Sequence, residues 1–216
     1  MILDKEIEQK IMNVSSPKEY NVRLVPRNEI SELIETWHYS QSINGLQSDY
    51  CFGLYYEDKE TNTEYLIGAM IYGKLGMANV WKKYADKPED LLELRRLALI
   101  DNTVGNSESY FIGSSIRWLI KNTDVKTIIS YADTYYGHRG IVYQASNFEL
   151  IGQTSVGRKI SYDGKLYHDK AIRTKYKGQL KPFAQRLKTA LENGKAEYIS
   201  MPAKNIYIYN LENKRK

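Results

Sequence analysis

Two hydrophobic periods alternate along this chain, and they divide it into helices and strands. Ile7 and Ile11 stand one turn apart in Asp4–Met12, which predicts a short helix capped by Asp4 and ended by Ser15-Ser16-Pro17. Tyr20–Val25 alternates as a strand does. After Pro26, Ile30, Leu33, Ile34 and Trp37 fall at i, i+3, i+4 and i+7, the clearest amphipathic helix in the sequence, with Asn28 as its expected cap. Tyr50–Glu57 and Glu64–Gly73 read as strands around the polar hairpin loop of residues 58–63. Met77–Tyr84 suggests a short helix, and Leu91–Ile100 a central strand. A loop at Asp101–Ser107 leads to a helix with Ile112, Ile116, Leu119 and Ile120 on one face, ending near Asn122. Val125–Ala132 is a short, largely apolar run, as a buried strand is.

Beyond it, Gly137–Ser146 reads as helical, and Phe148–Val156 and Lys170–Tyr176 read as strands around a polar loop containing Asp163-Gly164. A helix begins at Lys181, with Phe183, Leu187 and Leu191, and a strand-like run covers Asn205–Tyr209. Helices interspersed with strands in this order predict an α/β (α+β) fold: a mixed, mostly antiparallel central sheet flanked by helices. We divide the chain into a main domain at 1–176 and a basic C-terminal extension at 177–216, packed on the same domain.

Composition narrows the class. The 216 residues are 42% hydrophobic, enough for one sizeable core. No run approaches a membrane span, and Met1–Glu6 lacks the basic flank and apolar stretch of a secretory signal. Cys51 is the single cysteine, so no disulfide forms within the chain; a reducing, cytoplasmic setting fits, and no membrane partner is expected. Cys51 lies in an apolar run and reads as a small buried residue rather than a nucleophile. The net charge of +5 is unevenly spread: Thr174–Lys216 carries ten Lys/Arg against three Asp/Glu. Such a segment is either a solvated tail or a surface for a polyanion.

Several residues invite chemistry. Asp133 ends an apolar strand, where open sheets place functional groups, though it serves equally to cap the next helix. His138 is flanked by Gly137 and Gly140, which permit close approach of backbone to a ligand or a neighbouring strand. His38 and Tyr39 follow the amphipathic helix and favour a cleft over the core. His38, Asp133 and His138 lack the dense spacing of a metal site, and no metal ligand is assigned.

The order of elements resembles the GNAT acyltransferase superfamily. Leu92-Glu93-Leu94-Arg95-Arg96-Leu97 resembles the strand that binds the pantetheine arm of the donor, and Gly140–Glu149 resembles the later helix and the strand it feeds. A narrower resemblance is to the phage Mom family of DNA adenine-modifying proteins. Trp37-His38-Tyr39-Ser40, Glu93–Leu97, Ser109–Gly113, Ile129–Asp133 and Gly137-His138-Arg139-Gly140, running into Tyr143-Gln144-Ala145-Ser146-Asn147, look like successive blocks of that family.

These resemblances imply a transferase in the host cytoplasm that modifies the exocyclic amino group of adenine, to a carbamoylmethyl form, and shields phage DNA from restriction. The catalytic candidates they imply are Asp133, Tyr143, His138, Arg95 and Tyr39. Tyr143 resembles the GNAT tyrosine that protonates the leaving thiolate. Acetyl-CoA or a related donor would meet Leu97, Ala98, Ser109, Gly113, Ser114 and Asn147. The loop Asp101–Ser109 departs from the usual Arg/Gln-x-x-Gly-x-Gly pattern, since Gly105 and Gly113 are too far apart for that turn, and Ser109 serves equally as a helix cap. Double-stranded DNA would meet His38, Arg139, Arg158, Lys175 and Lys181, with the base extruded onto an aromatic ring such as Trp37, Tyr39, Tyr131, Tyr135 or Tyr136. A homodimer is compatible with this reading. The competing readings are a GNAT N-acetyltransferase acting on a protein or small amine, and a binding protein that keeps the fold without the chemistry.

Overall fold

Asp4 starts the first helix as its position suggests: its carboxylate accepts the Glu6 N–H at 3.1 Å, and α1 (Lys5–Met12) buries Ile7 and Ile11. The computed structural model describes residues 4–76 and 79–214. After a 3-10 turn at Pro17–Glu19 come β1 (Asn21–Leu24), α2 (Arg27–Trp37), β2 (Tyr50–Asp58), β3 (Thr63–Gly73), β4 (Leu91–Leu99), α3 (Ser107–Asn122) and β5 (Thr127–Ala132). The remainder forms α4 (Ile141–Ala145), β6 (Glu149–Gln153), β7 (Gly157–Tyr162), β8 (Lys165–His168), β9 (Lys175–Tyr176), β10 (Gln179–Leu180), α5 (Pro182–Glu192), β11 (Glu197–Met201) and β12 (Asn205–Asn210).

Two units emerge. The first comprises Met1–Ala132, Gly140–Gly152 and Ile206–Lys216; the second comprises Asp133–Arg139 and Gln153–Asn205. Residues 177–216, read from the sequence as one basic extension, are thus shared between them.

The first unit is built on a seven-stranded sheet in the order β1-β2-β3-β4-β5-β12-β6. The pairs β1–β2, β2–β3 and β3–β4 are antiparallel, and β4–β5 is parallel, the mixed sheet expected from the sequence. Its core includes Ile30 and Ile34 of α2, Phe52, Met70, Ile71 and Tyr72 of the sheet, and Phe111 of α3, all fully buried. The Tyr72 hydroxyl is satisfied there by Ser115 Oγ at 2.7 Å.

The second unit holds a three-stranded antiparallel sheet, β11-β7-β8, and the small hairpin β9–β10. Ile160 of β7 packs with Leu187 and Ala190 of α5 and with Ala196. The turn joining β7 to β8 is Asp163-Gly164, both at positive φ, the pairing that two-residue hairpins favour.

The structure corrects several local expectations. Pro26, not Asn28, occupies the cap position of α2, and no side chain caps it. Trp37 ends that helix 39% exposed instead of continuing its buried face. In the stretch read as a helix at Met77–Tyr84, Met77 and Ala78 lie outside the described residues and Val80–Lys83 forms a 3-10 turn. The helix expected over Gly137–Ser146 is confined to α4, because Gly137 and Gly140 both adopt left-handed conformations. Lys170–Tyr176 is mostly a 3-10 turn, Asp169–Arg173, and contributes only the two-residue β9.

Candidate functional site

In the first unit, β4 and β5 run side by side for only part of their length. Their pairing covers Leu91↔Thr127, Leu92↔Ile128 and Glu93↔Ile129 and then stops, although β4 continues to Leu99 and β5 to Ala132. The register against β3 gives the reason. Ile71 faces Arg96 and Tyr72 faces Leu94, so Arg95 is an extra, bulged residue. A bulge bends its strand and increases the local twist, which turns β4 away from β5 just after the last pair. The Leu94 carbonyl beyond that point is met by the Ser130 hydroxyl, which donates to it at 3.1 Å.

Tyr143 of α4 sits at this divergence. Its hydroxyl lies close to that of Ser130 and within electrostatic reach of Glu93 and Tyr207. Burial pushes the Tyr143 phenol above the ordinary tyrosine value, with the Ser130 hydroxyl pulling the other way. The phenol therefore stays neutral and keeps its proton at neutral pH. Gly140 fixes the start of α4: its φ of +79° is left-handed, and a Cβ there would run into the Tyr207 ring. Gln144 Nε2 donates to the Tyr207 hydroxyl at 3.1 Å, and the Tyr143 ring packs 5.3 Å from Tyr207 and 5.6 Å from Phe148.

Glu93 was not singled out from the sequence. It is a half-buried carboxylate in an otherwise apolar part of β4, with Arg95 Nε 4.0 Å away. It also acts electrostatically on Tyr131, whose phenol burial pushes up. The available signal was a lone acid between Leu92 and Leu94 in a run that the fold buries.

Arg95 and Arg96 diverge in what they touch. Arg95 Nη1 donates to the Lys74 carbonyl at 2.6 Å, and its side chain lies against Gly73 and Gly76, bracing the chain after β3. Its Nε is buried without a hydrogen-bond partner. Arg96 donates to the Ser42 carbonyl at 3.4 Å and the Arg95 carbonyl at 2.7 Å, and burial pushes its guanidinium below the ordinary arginine value. Tyr39 lies within electrostatic reach of Arg96, and its exposed ring packs 4.2 Å from that of His38. His38 is buried and accepts the Ser40 N–H on Nδ1 at 3.1 Å, so its neutral form carries the proton on Nε2.

A cavity of about 600 Å³ opens between the start of α3 and the end of α4. Ser109, Gly113 and Asn147 line it, with Lys18, Arg117 and Tyr209; Leu97, Ala98 and Ser114 do not. Asn106, left-handed at φ +68°, precedes α3 without a side-chain cap, and Ser109 instead donates to its carbonyl at 3.0 Å. Ser109 is therefore inside the first turn rather than the cap. The positive end of a 16-residue helix beside Lys18 and Arg117 fits a phosphate-bearing donor. Cys51 is buried, and burial pushes its thiol up, away from nucleophilic use.

The remaining candidates belong to the second unit. Asp133 is 4% exposed; Lys204 Nζ holds one carboxylate oxygen at 2.6 Å, and the Tyr135 N–H donates to the other at 3.3 Å, capping the 3-10 turn Thr134–Tyr136. His138 follows that turn, its N–H reaching the Asp133 carbonyl at 3.3 Å, and Arg139 comes next. Arg158 lies over the Tyr198 ring at 4.4 Å, while Lys175 begins β9, Lys181 follows β10, and both are exposed. The expected site residues thus divide, with Arg95, Tyr143, Tyr39 and His38 in the first unit and Asp133, His138, Arg139 and Arg158 in the second. Among the described residues, no group of three His, Cys, Asp or Glu side chains is arranged to hold a metal, and no helix is long and apolar enough to cross a membrane.

A model of the Mom protein family matches residues 19–216. The methylcarbamoylase mom of Escherichia phage Mu is 28% identical over 167 residues, covering 76% of this chain and 66% of that protein, just under two thirds of its length. Among solved structures, Arabidopsis thaliana NAA60 in complex with acetyl-CoA aligns with a TM-score of 0.51 at 8% identity, over 89% of this chain and 99% of that one. A Bacillus subtilis acetyltransferase in complex with CoA aligns at 0.48 and 13% identity, over 88% and 98%. The fold is that of the GNAT acetyltransferases.

Proposed function

The chain belongs to the Mom protein family, and we propose from that premise that it is a transferase that modifies the exocyclic amino group of adenine in double-stranded DNA. The modification is of the carbamoylmethyl type and protects phage DNA from restriction in the host cytoplasm. One observation carries the reading: β4 and β5 part after Glu93 and Ile129, and the Tyr143 hydroxyl stands at the parting beside Ser130.

The residues at that point suit transfer to an amine. An adenine amino group is conjugated with its ring and a poor nucleophile, so losing its proton as the new bond forms lowers the barrier. Glu93 is the carboxylate in place to take that proton, and Tyr143 holds one to give to a leaving group. The NAA60 structure contains acetyl-CoA; a donor of that class would supply an activated acyl carbon and leave an N-acyl amine. A carbamoylmethyl product, whose new bond is N–CH2, requires a related donor whose leaving group departs from a methylene carbon bearing the carboxamide. In this chain Lys18, Ser109, Arg117 and the open first turn of α3 would hold its phosphates. Asp133, tied to Lys204 and to the turn after β5, acts by holding Tyr135 and the segment to His138 in place rather than by moving a proton.

Mass spectrometry of nucleosides from cells expressing the protein tests the reading. An adenosine adduct absent from cells carrying Tyr143→Phe supports it; unmodified DNA from cells with folded, soluble protein refutes it. The donor-sized cavity beside Lys18 and Arg117 also favours a second reading, an N-acetyltransferase for a protein or small amine. Acetyl transfer from acetyl-CoA to a peptide or amine, with no adduct in DNA, would select that alternative.

A further inference from the structure

The charges of the two units are opposed. The second unit carries thirteen Lys/Arg against five Asp/Glu, a balance of +8, whereas the first carries eighteen against twenty-one, a balance of −3. Most of the acidic minority in the second unit is already engaged: Asp133 by Lys204, Asp169 by Arg173 and Arg158, Glu192 by Lys188. Lys159, Lys165, Lys175 and Lys181 have no carboxylate within ion-pair distance among the described residues.

One of these lysines is held against two exposed rings. Lys159 Nζ lies 5.2 Å from the centroid of Tyr136 and 5.7 Å from that of Tyr135, and donates to the Tyr136 hydroxyl at 3.3 Å. Tyr135 is 46% exposed and Tyr136 40%, and the rings meet edge to face at 5.1 Å. The register puts Lys159 opposite Ile199 and His168, on the sheet face away from Ile160 and the α5 packing. The segment bearing the rings is tied at its start: Asp133 binds Lys204, Thr134 Oγ1 donates to the Ala203 carbonyl at 2.9 Å, and Gly137 ends the turn at φ +78°.

We infer that this face of the second unit binds a DNA strand, with an unstacked base lying on Tyr135 and the adjoining phosphate on Lys159. The inference rests on the reading above that DNA is the substrate, and it names the surface that holds it. A lysine beside a pair of exposed rings matches the two parts of a nucleotide, and the excess of +8 supplies the long-range attraction.

The test measures fluorescence anisotropy of the full-length chain with a labelled single-stranded oligonucleotide and with the matching duplex, across a salt series. Tyr135→Ala should weaken single-strand binding roughly tenfold or more, by the usual worth of one stacked base, and Tyr135→Phe should restore it. Lys159→Gln should lower the slope of log affinity against log salt by about one. Unchanged affinity in Tyr135→Ala, an equal loss in Tyr135→Phe, or an unchanged slope in Lys159→Gln overturns the inference. Binding that follows these expectations without any adenosine adduct leaves the surface in place and removes the modification reading. An adduct formed at wild-type level by a Lys159→Gln, Tyr135→Ala double variant does the reverse.

Discussion

Ser130 donates its hydroxyl proton to the carbonyl of Leu94 at 3.1 Å, just past the last residue pair that joins β4 to β5. A side chain here takes over from the ladder where the strands diverge, so the divergence does not leave a buried carbonyl unmatched. Ser130→Ala should cost about 1–2 kcal/mol, because Leu94 loses its partner in a site that water does not reach readily. Urea denaturation monitored by circular dichroism checks this. A cost near zero would mean that water replaces the hydroxyl, and that the site is wetter than the burial of Ser130 indicates.

Tyr143→Phe keeps the ring that packs against Phe148 and Tyr207 and removes only the proton. The melting temperature should therefore hold within a degree or two. The modification rate should fall roughly 100- to 10,000-fold, the usual worth of general acid–base assistance. Equal rates in the two proteins would take Tyr143 out of the chemistry.

Asp133 is coupled to Lys204 as well as to the Tyr135 amide. Asp133→Ala should cost about 1–2 kcal/mol through the lost cap alone. In a double-mutant cycle with Lys204→Met the two losses should not add, since each removes the same contact. Additive losses would show that the pair contributes nothing in solution. Full modification activity in a folded Asp133→Asn variant would confine Asp133 to a positioning role.

Gly140 combines a left-handed backbone with a Cβ path blocked by Tyr207. Gly140→Ala should destabilise by on the order of 1–3 kcal/mol from the backbone conformation, before the ring is displaced. Because Tyr143 lies one turn further on, the variant should lose activity more steeply than stability. Activity and melting temperature measured on the same preparation separate the two.

Burial raises the phenols of Tyr20, Tyr72, Tyr131 and Tyr143 above the ordinary tyrosine value. The sign of the linkage follows: the folded state holds these protons more tightly, so their contribution is complete below the unfolded value of about 10 and is lost as pH rises beyond it. Thermal stability should fall above about pH 10, in step with tyrosinate absorbance appearing on unfolding. Tyrosinate signal from all four in a still-folded protein at lower pH would contradict their burial.

Much of the frame was legible in the chain. The spacing of Ile30, Leu33 and Ile34 marked α2, the run to Ala132 marked β5, and Asn205–Tyr209 marked β12. The hairpin of β7 and β8 was missed although Asp163-Gly164 is among the strongest two-residue turn signals, because its flanking strands are short and polar. The helix overestimated at Gly137–Ser146 had the apolar spacing of one, but glycine at two positions took the left-handed conformation that ends regular structure.

What the sequence determined by itself was local: which segments coil or extend, which faces are apolar, and where basic residues outnumber acidic ones. These follow from backbone sterics and side-chain periodicity within a few residues. The tertiary structure decided what depends on partners distant in the chain. It made Arg95 a bulge by the register of β3, parted β4 from β5, set Glu93 near Tyr143, and gave the Asp133 carboxylate to Lys204. No period encodes such pairings, because each is chosen by the free energy of packing and hydrogen bonding across the whole unit rather than by the neighbours of the residue concerned.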